Sequence, residues 1–262
     1  MNDVPAIARL YREQGAFLNK VYRRIVPLRH RRPHRMANSR PIVSFTFDDF
    51  PPSALHEGAP ILERHGGRAT YYVCLADDRR FDMSGEGFDA SVLPDMVAAG
   101  HELACHTYAH LDCALTEPGV LAADLDRNAA RLAEIVPGYR MTNFAYPYGN
   151  VGIDSKALMG GRFTTARGIW PGLCAGMIDA ALLPSQKIYG EENIGPALAL
   201  IDEARRRNGW VIFFSHDVRA RPTAYGSTPD QLERVAAAAA AAGCAILTVR
   251  AALAEIGLSD GA

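Results

Sequence analysis

The chain has 262 residues, 48% hydrophobic and 22% charged, with 28 basic and 29 acidic side chains and a formal net charge of -1. This size and balance suit one large α/β domain or two small ones and exclude a disordered chain; no apolar run approaches the roughly 18–20 residues that a membrane span needs. The near-neutral charge gives no global pull toward nucleic acid or anionic surfaces, and five cysteines without a CxxC pair argue against a disulfide framework.

In chain order, the first residues lack the basic start and apolar stretch of a secretory signal, so a cytoplasmic location is expected. Neither nucleic acid nor stable membrane insertion is expected either. A helix is predicted over 7–21, followed by a basic arm. Between Lys20 and Arg40 lie Arg23, Arg24, Arg29, Arg31, Arg32 and Arg35, with no acidic residue among them. The arm reads first as a solvated or loosely docked extension. Its sharper reading is a contact for an anionic partner, a lipid surface or a second subunit, and a homo-oligomer is compatible with the sequence. Residues 1–40 are therefore set apart from a domain over 41–262.

From Pro41 onward, β-rich apolar runs alternate with helical patterns, the mark of βα units around a parallel sheet. Strands are predicted over 42–47, 69–74, 102–105, 141–145, 162–165, 187–189, 210–215 and 245–249. Helices are predicted over 53–65, 91–99 and 229–242, the first closed by Gly66 and Gly67, the others by Gly100 and Gly243, where a left-handed residue ends a helix. Thr228 is the expected cap of the alanine-rich last one.

Four predicted strand ends carry polar or aromatic residues, and in parallel α/β folds ligands gather at those ends. Asp48 and Asp49 end the apolar run Ser44-Phe45-Thr46-Phe47. One such Asp would ordinarily cap a helix. His106 and His110 follow the next strand but one; if the segment turns helically at once, residues at i and i+4 share a face and can bind one metal. With a carboxylate from a neighbouring strand end they make the two-histidine, one-carboxylate set of an open catalytic divalent site. Tyr146-Pro147-Tyr148-Gly149 offers a rigid aromatic turn that could wall a sugar ring and present a backbone N–H to an oxyanion, or simply a packed loop. His216, delivered by Ile212-Phe213-Phe214-Ser215, is either a general acid or a structural histidine.

These segments resemble the polysaccharide deacetylases (the NodB-like carbohydrate esterase family 4) over about residues 41–256. Thr46-Phe47-Asp48-Asp49 is similar to the family's first motif, His106–His110 to its second, Tyr146-Pro147-Tyr148-Gly149 to its third and Phe214-Ser215-His216 to its last. The resemblance implies a distorted (β/α) barrel of seven or eight parallel strands with an N-terminal helical extension. It also implies a divalent metal, usually zinc, on Asp49, His106 and His110, with Asp48 as general base, His216 as general acid and the Tyr148 N–H at the oxyanion. The expected activity is removal of N-acetyl groups from an amino-sugar-containing oligosaccharide, polysaccharide or glycan precursor, with a carbohydrate as partner.

Two other readings stand beside it: a hydrolase of a non-sugar amide or acetyl ester on the same site, and a non-catalytic glycan-binding protein. Three departures from the family pattern bear on the site. Phe50 stands where glycine is usual and would narrow or line the cleft. Ala145 stands where an arginine often braces the base. The aspartate that tunes the last histidine has no clear counterpart, although Asp179 and Trp170 lie in the right part of the chain.

Overall fold

The computed structural model describes residues 24–76, 81–82 and 85–258, so the helix predicted over 7–21 lies outside the described residues. Its strands are β1 (Pro33–Arg35), β2 (Ile42–Asp48), β3 (Thr70–Val73), β4 (Phe81–Asp82), β5 (Gly85–Glu86), β6 (Glu102–Cys105), β7 (Asn143–Ala145), β8 (Thr165–Arg167), β9 (Met177–Asp179), β10 (Gln186–Lys187), β11 (Trp210–Ser215) and β12 (Ala245–Ile246). Interspersed are α1 (Ala59–Arg64), α2 (Leu93–Ala98), α3 (Pro118–Ile135), α4 (Ile153–Arg162), α5 (Ile194–Arg207), α6 (Pro229–Ala241) and α7 (Val249–Glu255).

Seven strands run parallel in the order β10-β11-β2-β3-β6-β7-β8, and β12 pairs with the first two residues of β2, whose last three pair with β3. The ring is drawn together by one segment. Leu183 exchanges backbone hydrogen bonds with β8, and Gln186 and Lys187 pair with β11. The result is the expected distorted (β/α) barrel.

Strand β2 is buried along its whole length, as a central parallel strand covered on both faces must be. Its alternation sorts the side chains. Val43, Phe45 and Phe47 join the main core with the helices, while Ser44, Thr46 and Asp48 turn to the barrel interior. There Ser44 Oγ accepts from Trp210 Nε1 at 2.9 Å, and Thr46 Oγ1 donates to the Phe213 carbonyl at 2.9 Å. Glu102, buried inside the same ring, accepts from Thr70 Oγ1 (2.9 Å), Asn143 Nδ2 (2.6 Å) and the Arg250 N–H (2.8 Å). Burial raises its carboxyl pKa although these donors pull it down.

Most predicted strands are present, and the displaced ones have local causes. The run 162–165 does not start a strand, because α4 continues to Arg162; the strand begins at Thr165 and ends on Arg167. The run 245–249 stops at Ile246, because Thr248 caps α7 by accepting from the Ala251 N–H. The strand predicted over 187–189 is Gln186–Lys187. Thr228 caps α6 with Gln231 returning the bond, and Gly100 (φ 87°) and Gly243 (φ 72°) adopt the left-handed conformation expected after their helices. All five cysteines are free thiols, four of them buried.

The described part of the arm is docked. Strand β1 pairs antiparallel with β9, and Arg32 donates from its backbone to Asp179 and from its guanidinium to the Phe163 carbonyl. Lys156 of α4, fully buried, donates to Asp179 and to the carbonyls of Val26 and Pro27.

Candidate metal centre and active site

All four motif segments meet at the carboxyl ends of the barrel strands. Asp49 lies just past the end of β2, His106 just past β6, the Tyr146–Gly149 turn past β7 and His216 past β11. One ligand atom from each of Asp49, His106 and His110 lies within 4.8 Å of the others. His110 Nε2 is 3.3 Å and His106 Nε2 3.7 Å from Asp49 Oδ1, and the two imidazoles lie 5.0 Å apart.

The histidines meet by another route than the helical turn expected for 106–110. The segment is an irregular loop, with Thr107 (φ 64°) and His110 (φ 51°) in the left-handed region. Its shape is held from outside, because Asp124 of α3 accepts from the backbone N–H groups of Tyr108 (2.5 Å) and Ala109 (3.2 Å). Thr107 Oγ1 accepts from the Leu111 N–H at 3.0 Å. Asp124 is a positioning residue that sequence reasoning missed; a buried carboxylate on the following helix, 16 positions past Tyr108, gives no local pattern to find.

His106 is fixed in its tautomer. Its Nδ1 lies 2.8 Å from the Ala145 carbonyl, so it carries the proton and leaves the Nε2 lone pair facing Asp49. Burial, the largest influence, brings its pKa down to about 3 against the opposing pull of Asp48. The imidazole is thus neutral and available as a ligand across the neutral range. The donor set fits a divalent cation: two imidazoles and a carboxylate around one point, with Asp49 and His110 partly exposed to solvent.

Asp48 lies beside the triad, 4% exposed, and is paired through Oδ1 with Arg167 Nη2. Burial alone would raise its carboxyl; Arg167, His106 and His216 more than offset that, and the pKa falls below the ordinary value. Arg167 is itself buried, with its guanidinium 4.6 Å from the Tyr72 ring centre and 5.2 Å from that of Phe214. This is the partner of Asp48 left open by Ala145. It comes from the next strand, β8, and the displaced prediction over 162–165 is what hid it, because Arg167 at a strand end would have pointed into the barrel.

His216 Nε2 lies 3.8 Å from Asp49 Oδ2, the oxygen other than the one His110 approaches, and its Nδ1 is 3.2 Å from the Tyr225 carbonyl. That carbonyl is the group that orients the His216 ring. The loop carrying it is organised by the buried Asp217, which accepts from Thr223 Oγ1 (2.5 Å) and the Thr223 N–H (3.0 Å) and pairs with Arg219 (2.7 Å). Asp179 serves elsewhere, on Lys156 and the arm, and Trp170 accepts through its carbonyl from the Ser185 N–H.

Phe50 does not line the cleft. It is fully buried, packed 4.6 Å from the Tyr71 ring and 4.9 Å from the Phe88 ring. A left-handed backbone at both Asp49 (φ 55°) and Phe50 (φ 51°) turns the chain sharply enough to send Asp49 to the site and Phe50 back into the core. Of the seven non-glycine residues with positive φ among the described residues, five lie in these motif loops: Asp49, Phe50, Thr107, His110 and Tyr148; the others are His30 and Asn208. Tyr148 is 58% exposed with its ring 4.5 Å from that of His110, whereas Tyr146 and Pro147 are buried.

Gly149 follows with φ 64°, and a Cβ there would lie 2.2 Å from Ile169 Cγ1. Gly149→Ala is expected to cost about 1–3 kcal/mol in urea denaturation, from the left-handed backbone and the overpacked contact together.

Comparison with known proteins agrees with this fold. The polysaccharide deacetylase family model matches residues 35–160. Over 106 residues, 40% of this chain, there is 29% identity to a probable peptidoglycan-N-acetylglucosamine deacetylase of Arthroderma benhamiae; the match spans 23% of that protein. Among solved structures, the Xyl-CE4 domain of a multidomain xylanase from the hindgut metagenome of Trinervitermes trinervoides superposes with TM-score 0.59 at 18% identity, covering 86% of this chain and 95% of that one. A family 4 acetyl xylan esterase from Clostridium thermocellum, in complex with a cobalt ion, gives 0.58 at 19% identity, with coverages of 83% and 92%. The chitin deacetylase of Colletotrichum lindemuthianum gives 0.58 at 17%, with coverages of 83% and 89%. At these identities the structural likeness establishes the fold, and over residues 35–160, just under half of its length, the chain is similar to the polysaccharide deacetylase family.

Proposed function

We propose that the protein is a metal-dependent hydrolase that removes acetyl groups from the nitrogen of an amino sugar within an oligosaccharide, polysaccharide or glycan precursor. The observation that carries this reading is Asp48. It is a buried carboxylate held ionised by Arg167, adjacent to the Asp49–His106–His110 set yet outside it. Binding alone would need no such group, which weighs against a non-catalytic glycan-binding protein.

Asp49, His106 and His110 would hold the cation, with zinc the first candidate for this donor set. When bound, it polarises the substrate carbonyl and lowers the pKa of an adjacent water. Asp48 takes the proton of that water as its oxygen bonds to the amide carbon. The Tyr148 N–H is assigned to the oxygen that gains charge. His216, steadied at Nδ1 by the Tyr225 carbonyl, gives a proton to the nitrogen as the C–N bond breaks, releasing acetate and a free amine.

Related proteins include amide and ester hydrolases by name. The amide is favoured here because a nitrogen leaving group needs the proton that His216 is poised to supply, whereas an alkoxide needs it less. The test is acetate release by metal-analysed protein from a panel of N-acetylated oligosaccharides, acetyl esters and simple amides. Expected is release from N-acetylated sugars that stops on chelation and returns with added zinc. Release from esters or non-sugar amides alone would support the second reading. Glycan binding with no release from any substrate by the metal-loaded protein would overturn catalysis altogether.

A further inference from the structure

The arm has a feature that the barrel does not use. Nearest the barrel its basic residues are consumed: Arg32 bonds to the Phe163 carbonyl and Arg40 pairs with Glu255. Farther out, Arg24, Arg29, Arg31 and Arg35 are exposed, and none has an ion pair among the described residues. A short helical turn lies within this stretch. Val26 packs inward at 1% exposure, and Ile25 (41%) and Leu28 (70%), three residues apart and so on one helical face, point outward. Leu28 is the most exposed large apolar residue among the described ones.

Position adds to composition. Lys156, which holds the Val26 and Pro27 carbonyls, is in the first turn of α4, and α4 begins just after the Tyr146–Gly149 turn. The aliphatic tip is therefore anchored on the first turn of α4.

We propose that this tip docks the protein peripherally on an anionic phospholipid surface. Ile25 and Leu28 enter the boundary between headgroups and acyl chains, and the four exposed arginines engage phosphates around them. Single-stranded nucleic acid is recognised by basic grooves and aromatic stacking, to which two outward aliphatic side chains add nothing. The overall charge of -1 means that the attraction is confined to the arm, so docking also sets the orientation of the protein on the surface. Docking itself does not depend on the deacetylase reading.

Flotation of the full chain with vesicles tests it. Expected is co-flotation with phosphatidylcholine–phosphatidylglycerol vesicles at low salt, weakening at about 0.5 M salt, and no co-flotation with phosphatidylcholine alone. At about fivefold per arginine, Arg29→Gln with Arg31→Gln should weaken partitioning about 25-fold. Leu28→Ser should weaken it at high and low salt alike. All three positions are exposed, so an unchanged thermal midpoint is expected and serves as the folding control. Three outcomes would overturn docking: no flotation with anionic vesicles at low salt, equal flotation with both vesicle types, or variants that float as the parent does. Self-association in sedimentation velocity that Leu28→Ser abolishes, without vesicle binding, would assign the tip to a second copy of the chain instead.

Discussion

Replacing Arg167 by methionine is expected to destabilise the protein by about 3–5 kcal/mol at neutral pH and to lower acetate release by at least about 100-fold. Methionine keeps much of the stem volume against Tyr72 and Phe214, so the loss comes mainly from Asp48. That carboxylate would be left 4% exposed with its guanidinium partner gone. The sign with pH follows. In the parent, the Asp48 pKa is depressed, so its contribution is present above the unfolded value of roughly 3.9 and is lost as pH falls through the lower folded value. In the variant, burial acts with less opposition and the pKa rises. The stability deficit should therefore shrink as pH is lowered, because Asp48 escapes its unpaired burial by taking a proton.

Activity gives the sharper reading. The acidic limb of the kcat/KM profile should move to higher pH in Arg167→Met, since the base must lose its proton before it can act. Asp48→Asn, which removes the base but can still accept a hydrogen bond from Arg167, should lower kcat by about 10²- to 10⁴-fold with smaller loss of stability. A destabilised Arg167→Met whose pH profile matches the parent's would show that Arg167 supports the fold alone.

The second large effect concerns the ligand set. Zinc at 100 times its Kd should raise the stability of the parent by about 2.7 kcal/mol, read as a rise in thermal midpoint, and should leave His106→Ala unmoved. Acetate release should fall to background in the same variant. The metal-free protein should also lose stability as pH falls below roughly 6.5. There the unfolded chain protonates its histidines while His106, with a folded pKa of about 3, stays neutral in the fold; this is a depressed pKa, whose stabilisation is present above the unfolded value and lost toward the folded one. His106→Ala should flatten that part of the pH dependence. A midpoint rise with zinc in His106→Ala equal to the parent's would show that the cation binds elsewhere.

Much of the fold was legible because its signals are local. The fully buried β2 reads as an uninterrupted apolar run, and helix ends announce themselves through Thr228, Gly100 and Gly243. The motif residues were legible for the same reason, since a strand end has a position in sequence. Asp48, Asp49, His106, His110 and His216 could be named before any of them was seen to meet.

Tertiary structure alone decided how those residues are held. Arg167 reaches Asp48 across 119 positions of chain, Asp124 braces the histidine loop from a later helix, and the Tyr225 carbonyl steadies His216 from a loop folded around Asp217. None of these contacts has a spacing rule, because neighbours across a barrel are set by strand order and register. Phe50 makes the same point in reverse. Beside the acidic pair in sequence it reads as a cleft residue, yet two successive left-handed residues send it into the core. The sequence by itself determined which chemical groups stand at the strand ends; the closure of the barrel determined which are left bare, which are paired and which proton each can carry.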